Sequence, residues 1–65
     1  MFVDVQEIKR YIDESGMKQK YIAGRAGLAE SQLCMILQEK RRLGASEYVR
    51  ICQALDVPFD RFVRQ

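Results

Sequence analysis

The sequence contains no histidine and no run of apolar residues long enough to span a membrane. A transmembrane helix needs about 20 consecutive, mostly apolar residues. The opening residues, MFVDVQEIKR, also lack the basic-then-apolar order of a secretory signal peptide. We therefore expect a cytoplasmic protein that has no membrane partner.

Side chains suited to catalysis or metal binding are also scarce. The two cysteines, Cys34 and Cys52, are not spaced as zinc ligands. Because cytoplasmic thiols are kept reduced, we interpret both as small, semi-apolar side chains rather than as a disulfide. The absence of histidine and of a clustered carboxylate pair leaves no evident general base. We expect no enzyme activity, no metal, no cofactor and no small-molecule substrate.

What the sequence does contain is an uneven charge distribution in a short chain. Its 65 residues fit one domain with a small core, and the composition, 48% hydrophobic and 31% charged, is typical of a globular protein. Residues 15–45 carry six basic and two acidic residues, a net charge of +4, whereas the rest carries five basic and seven acidic residues. The basic middle indicates a polyanionic partner, although a mixed solvated surface would give the same pattern.

Apolar residues recur at helical spacing along the chain, and no segment alternates like a strand. Asp4, with Glu7 three residues later, marks the start of a first helix, and Gly16 ends it in a left-handed conformation. Three further helices are predicted over residues 18–26, 29–38 and 45–55. Pro58 suits the first turn of a short last helix. The predicted fold is all-α, with five short helices around one core in a single domain, residues 1–65.

The segment GRAGLAESQL, residues 24–33, places a glycine between two helical patterns. Gly27 can adopt the positive φ that a tight turn requires, and Ala23 lets the two helix backbones approach. Leu33 and Ile36 then pack the later helix against the earlier one. Residues 19–38 therefore have the pattern of a helix-turn-helix motif.

The segment KQKYIAGRAGLAESQLCMILQEKRR resembles the motif of the phage repressor and Cro family of helix-turn-helix DNA-binding domains. The resemblance extends from about Ile8 to Phe62 and implies a lambda-repressor-like (XRE-like) domain. It further implies a repressor-like transcriptional regulator that binds specific sequences of double-stranded DNA with its third helix in the major groove. Such a bare domain regulates by occupying DNA or by contacting polymerase. The alternative is a protein-interaction module of the same fold, of the antitoxin or anti-repressor type, with weak or no DNA binding.

On a helical wheel, the side of the third helix opposite its buried residues is the candidate reading surface. The candidate base-reading residues are Ala29, Glu30, Ser31, Cys34 and Met35. Ionised Glu30 accepts hydrogen bonds, so a cytosine amino group is its natural partner, and Ala29 and Met35 suit a thymine methyl. Without the motif, Glu30 would be interpreted as an ordinary favourable acid in the first turn of a helix, and Cys34 as a packing residue.

The resemblance also implies residues that hold the DNA backbone. Gln19 stands where the family's glutamine binds a phosphate and braces the first reading residue, here Glu30. The candidate phosphate-binding residues are Lys18, Gln19, Gln32, Lys40, Arg41 and Arg42. Such contacts fix the register of the protein on DNA rather than its sequence preference. Without the motif, the basic run 40–42 would be interpreted as a solvated loop.

The chain departs from the family pattern in its core and at the end of the third helix, among other positions. Ile12 and Leu37 stand where members commonly carry an arginine and a glutamate, so we expect a direct apolar contact in place of a buried ion pair. Glu39 stands where a glycine usually ends the third helix. We therefore expect this helix to continue into residues 40–42, with Gly44 supplying the turn.

Apolar side chains are concentrated near the end of the chain. Four of them, Val57, Phe59, Phe62 and Val63, fall within seven positions. Because a small core cannot easily cover all four, we expect the remainder to form the interface of a symmetric homodimer. The alternative is that Phe59 and Phe62 complete the core. A dimer would place two reading helices about one helical turn of DNA apart.

Overall fold

The computed structural model describes residues 2–65, and Met1 of the predicted domain lies outside the described residues. Residues 2–65 form four α-helices and one two-stranded sheet. The elements are β1 (Phe2–Val3), α1 (Val5–Ser15), α2 (Gln19–Ala26), α3 (Glu30–Leu37), α4 (Ala45–Leu55) and β2 (Val63–Arg64). No helix in this part of the chain is long and apolar enough to cross a membrane.

Both ends of α1 follow local signals in the sequence. The Asp4 carboxylate accepts a hydrogen bond of 3.2 Å from the backbone N–H of Glu7, which satisfies a donor that the helix leaves unpaired. Gly16 follows the helix with a φ of 77°, a left-handed conformation that glycine adopts without steric cost. The predicted start and end of α1 are confirmed.

Apolar side chains from all four helices pack into one core. The largest side chains that are almost completely buried are Ile8, Ile12, Ile22, Leu33, Ile36, Leu37, Ile51, Cys52 and Phe62. Ile12 and Leu37, which replace the expected ion pair, are each 1% exposed and belong to this cluster. Both positions are thus in an environment where an unpaired charge would be costly, and their direct contact stays a prediction.

The turn between α2 and α3 has the predicted glycine at its centre. Gly27 has a φ of 70°, and its N–H donates to the carbonyl of Gly24 at 3.2 Å. The N–H of Leu28 donates to the carbonyl of Ala23 at 2.8 Å. These bonds satisfy carbonyls that the end of α2 leaves unpaired, and the chain enters α3 almost at once.

The predicted continuation of α3 into residues 40–42 is wrong. The helix ends at Leu37, and Glu39 has a φ of 59° although it is not glycine. Gly44, which was expected to supply the turn, has a φ of −78° and stands directly before α4. The chain therefore leaves the helix two residues after Leu37, and Glu39 occupies the left-handed position itself.

Hydrogen bonds around Glu39 explain why the helix stops there. Its N–H donates to the carbonyl of Ile36 at 2.9 Å, and the N–H of Lys40 donates to the carbonyl of Met35 at 2.9 Å. The side-chain amide of Gln6, on α1, donates to the Glu39 carboxylate at 2.6 Å. Together these bonds offset the steric cost of the left-handed conformation.

The predicted fifth helix is also wrong, because residues 59–62 form turns rather than a helix. The N–H of Arg61 donates to the carbonyl of Pro58 at 3.1 Å, and the N–H of Val63 donates to that of Asp60 at 3.2 Å. The chain then straightens, since Val63 lies opposite Val3 in the antiparallel sheet.

The two-stranded sheet was not predicted and joins the two ends of the described chain. Phe2 lies opposite Arg64 and Val3 opposite Val63. The N–H of Asp4 donates to the carbonyl of Phe62 at 2.8 Å, so the pairing continues to the start of α1. Strands of two residues are too short to produce a recognisable alternation in sequence.

Phe62 is fully buried, so its assignment to a dimer interface is wrong. Its ring packs against that of Tyr11 in an edge-to-face arrangement, with centroids 5.8 Å apart. Phe59, by contrast, is 53% exposed. The Phe59 carbonyl accepts a hydrogen bond of 2.5 Å from the hydroxyl of Tyr48, whose pKa is raised by burial to about 12. The core therefore covers Phe62. A hydrogen bond from the core residue Tyr48 holds the backbone of Phe59, whereas the Phe59 ring stays exposed.

Candidate nucleic-acid interface

The predicted base-reading residues lie together at the start and on the outer face of α3. Four of them are exposed: Ala29, Glu30, Ser31 and Met35. The fifth, Cys34, is half-buried. On the opposite face, Leu33 and Ile36 are at most 1% exposed. One side of α3 is thus anchored in the core, and the other is open to a partner.

The entry into α3 is organised by Gln32 rather than by a capping side chain at Ala29. Ala29 has extended dihedral angles and no side-chain hydrogen bond to the helix. The Gln32 side-chain oxygen accepts a hydrogen bond of 2.9 Å from the N–H of Ala29. This leaves the amide NH2 group of Gln32 as the part of the side chain that can donate to a phosphate.

The start of α2 supplies two more of the predicted phosphate-binding residues. Lys18 is exposed and Gln19 is half-buried. Lys18 precedes the helix and makes no side-chain capping bond, so it leaves the first N–H groups of α2 free to meet an anion. The bracing bond expected between Gln19 and Glu30 is not among the hydrogen bonds of residues 2–65.

The basic run after α3 is exposed, but its three residues are not equivalent. The Arg41 guanidinium lies 3.3 Å from the Glu47 carboxylate, which also accepts a hydrogen bond of 2.9 Å from the N–H of Gly44. Within the described chain, Lys40 and Arg42 form no ion pair. Lys40 and Arg42 can therefore contact a phosphate directly, whereas Arg41 must first leave Glu47.

Comparison with known families decides the identity of this motif. Residues 8–62 match the family model described as helix-turn-helix. The chain belongs to the helix-turn-helix family. This range agrees with the predicted extent of the resemblance, and membership supports DNA binding by a helix-turn-helix regulator. Searches of curated proteins and of solved structures gave no match.

Arg50 is part of the helix-turn-helix architecture that sequence reasoning missed. It lies on α4, and its guanidinium would be 3.3 Å from a Cβ atom placed on Gly27. Its Nε atom is buried and has no hydrogen-bond partner within residues 2–65. Gly27 therefore meets two needs, a positive φ and room for Arg50. Nothing in the sequence around Arg50 predicts that its side chain lies beside the turn between α2 and α3.

The cysteines of the helix-turn-helix domain are both free thiols. Cys34 is half-buried in α3, and its sulfur accepts a hydrogen bond of 3.1 Å from the side-chain amide of Gln38. Burial raises the pKa of Cys52, which keeps that thiol protonated inside the core. Across residues 2–65, no group of three or more cysteine, aspartate or glutamate side chains forms a candidate metal site.

Proposed function

We propose that this chain is a repressor-type regulator of transcription that binds specific sequences of double-stranded DNA. The observation that carries the proposal is the outer face of α3, which is open while the opposite face is fixed in the core. In helix-turn-helix proteins, the second helix of the motif lies in the major groove, and its first residues contact base edges. Here those residues are Ala29, Glu30 and Ser31, followed by Cys34 and Met35.

Basic and amide side chains supply the contacts that hold this helix on the DNA. Lys18 directly precedes α2, and Gln19 is its first residue. Gln32 lies on α3, where its amide NH2 group can donate a hydrogen bond. Lys40 and Arg42 follow α3 without ion-pair partners in the described chain. Contacts from these side chains to phosphates would fix the position of α3 without selecting a sequence. The net charge of +4 over residues 15–45 favours approach to DNA.

A homodimer is the second part of the proposal. A single reading helix gives a protein–DNA contact of only about 600–1,000 Å², which is small for a specific site. Phe59 is 53% exposed and Phe2 is 58% exposed, while Val57 and Val63 are half-buried near the core. We assign Phe59, Val57 and Val63 to the interface with a second copy of the chain. Phe2, on β1, is a fourth residue of this interface.

The salt dependence of binding to a short duplex of random sequence tests the proposed DNA interface. Affinity should fall steeply as salt rises, with a slope of about −0.9 per neutralised phosphate in a plot of log K against log salt. Arg42→Gln should weaken binding evenly across sequences and reduce that slope by about one. Arg41→Gln should have a smaller effect, because Arg41 already pairs with Glu47.

Three outcomes would count against the proposed interface. Binding that is insensitive to salt would exclude the phosphate contacts. A change of base preference in Arg42→Gln would mean that this residue reads the sequence rather than positions the protein. Absence of duplex binding at low salt would favour the alternative of a protein-interaction module on the same fold.

A further inference from the structure

The outer face of α2 carries an open groove. Of the residues that line it, only Lys18 belongs to the proposed DNA contacts. The groove has a volume of about 540 Å³ and is lined by Lys18, Lys20, Tyr21, Gly24 and Arg25. Tyr21 is 54% exposed, so its ring is accessible to a partner. Most of the lining is carbon, from the tyrosine ring, the glycine and the stems of the basic side chains.

Gly24 belongs to the apolar part of the lining, here called the floor, and neither a close neighbour nor a positive φ requires a glycine there. A Cβ atom at this position would meet no atom within 4 Å. Its φ lies outside the left-handed range, since the positive φ values of glycine belong to Gly16 and Gly27. A glycine inside a helix is less favourable than an alanine. The missing side chain leaves space beside Tyr21 for a group from outside the molecule.

The Tyr21 ring is held in place by Arg25. The guanidinium carbon lies 5.8 Å from the ring centroid, and Nη1 of Arg25 donates a hydrogen bond to the tyrosine hydroxyl at 3.4 Å. Contacts of this kind are weakly attractive at an exposed site. They present the ring as a surface against which an apolar group can pack.

The charge of the groove is of one sign. Its lining includes three basic residues and no acidic residue. Within residues 2–65, Lys18, Lys20 and Arg25 form no ion pair. A ligand that carries carboxylates beside an apolar group would satisfy both the cationic rim and the apolar floor.

We propose that this groove docks an acidic polypeptide segment that inserts one large apolar side chain between Tyr21 and Gly24. The carboxylates of the segment pair with Lys20 and Arg25. A protein segment fits better than a phosphate alone, because it can place an apolar side chain on the floor while its carboxylates pair with the basic residues. The site goes beyond the proposed reading of DNA and would recruit a protein partner to the domain.

Selection from a displayed library of random short peptides tests this site. Peptides that bind the wild-type protein should be enriched in aspartate and glutamate around one leucine or aromatic residue. Gly24→Leu fills the groove at an exposed helical position where a side chain meets nothing, so it should keep or raise thermal stability. It should nevertheless weaken binding of the selected peptides by about tenfold or more, as should Arg25→Glu.

The controls separate this site from general charge and from DNA binding. Lys9→Glu, on α1, makes the same kind of charge change as Arg25→Glu. Lys9 pairs with the exposed Asp13, and its substitution should leave peptide affinity within about twofold. A library that yields no acidic-apolar peptides, or peptides that bind Gly24→Leu as well as wild type, would overturn the proposal. A loss of duplex DNA affinity in Gly24→Leu would assign the groove to DNA and would overturn it too.

Discussion

At the scale of single residues, Glu39 stands where α3 ends and the basic run begins. A left-handed conformation costs a non-glycine residue about 1–2 kcal/mol. Glu39 adopts it with a φ of 59° and is held by the Gln6 side chain across 33 positions of sequence. The exposed run of Lys40, Arg41 and Arg42 begins directly after this residue, so its position depends on a strained turn.

Substitutions at Glu39 should separate strain from the contact with Gln6. Glu39→Gly removes the steric cost and should raise the free energy of unfolding by about 1 kcal/mol, despite losing the hydrogen bond to Gln6. Glu39→Ala keeps the strain and loses the bond, so it should lower that free energy by a few tenths to about 1 kcal/mol. Urea denaturation measures both. Equal effects of the two substitutions would show that the backbone conformation is not the controlling factor.

The start and end of each helix can be predicted wherever the signals are local. Asp4 and Gly16 define α1 in the sequence and in the structure, and Gly27 marks the turn before α3. The predicted reading residues lie on one face because a periodicity of 3.6 residues fixes them relative to Leu33 and Ile36. Local capping and helical periodicity are therefore sufficient for the fold of the motif and for its candidate site.

The features that the sequence did not predict depend on contacts between distant parts of the chain. The strand pairing of Val3 with Val63 spans nearly the whole domain and diverts residues 58–62 from a helix. The stop of α3 depends on Gln6, and the ion pair of Arg41 depends on Glu47. Each of these partners becomes a neighbour only after the helices have packed, so no local pattern identifies it.

At the scale of elements, two glycines of the motif should respond in opposite ways to alanine. Gly27→Ala places a Cβ atom 3.3 Å from Arg50 on a residue with a φ of 70°, and should lower the free energy of unfolding by about 1–3 kcal/mol. Gly24→Ala is the matched control. Because its Cβ atom meets nothing within 4 Å, it should raise that free energy by up to about 1 kcal/mol.

Thermal or denaturant unfolding of the two variants checks this prediction. The difference should appear in the denaturation midpoint, with similar slopes for both proteins. A Gly27→Ala variant as stable as the wild type would contradict this prediction. It would mean that residue 27 is not left-handed or that Arg50 does not lie close to it.

At the scale of the whole molecule, the proposed dimer should depend on Phe59. Phe59→Asp places a charge in the proposed apolar interface and should shift the protein toward monomer, because a charge buried between subunits without a partner is strongly unfavourable. Sedimentation at micromolar concentration measures the change. Tyr21→Asp alters an aromatic residue of similar exposure, 54% against 53%, and should leave the association unchanged. A wild-type protein that is monomeric alone and on DNA would contradict the proposed dimer.

The central claim is that the outer face of α3 reads DNA bases, and selection of bound sequences from a random duplex pool tests it most directly. The wild-type protein should enrich a defined site, with two related half-sites if it binds as a dimer. Glu30→Ala should keep the fold and enrich the same site, but with no base preference at one base pair of each half-site. The loss of discrimination at that base pair should be about 1–3 kcal/mol. An unchanged selected site in Glu30→Ala, or no enrichment by the wild-type protein, would contradict the claim.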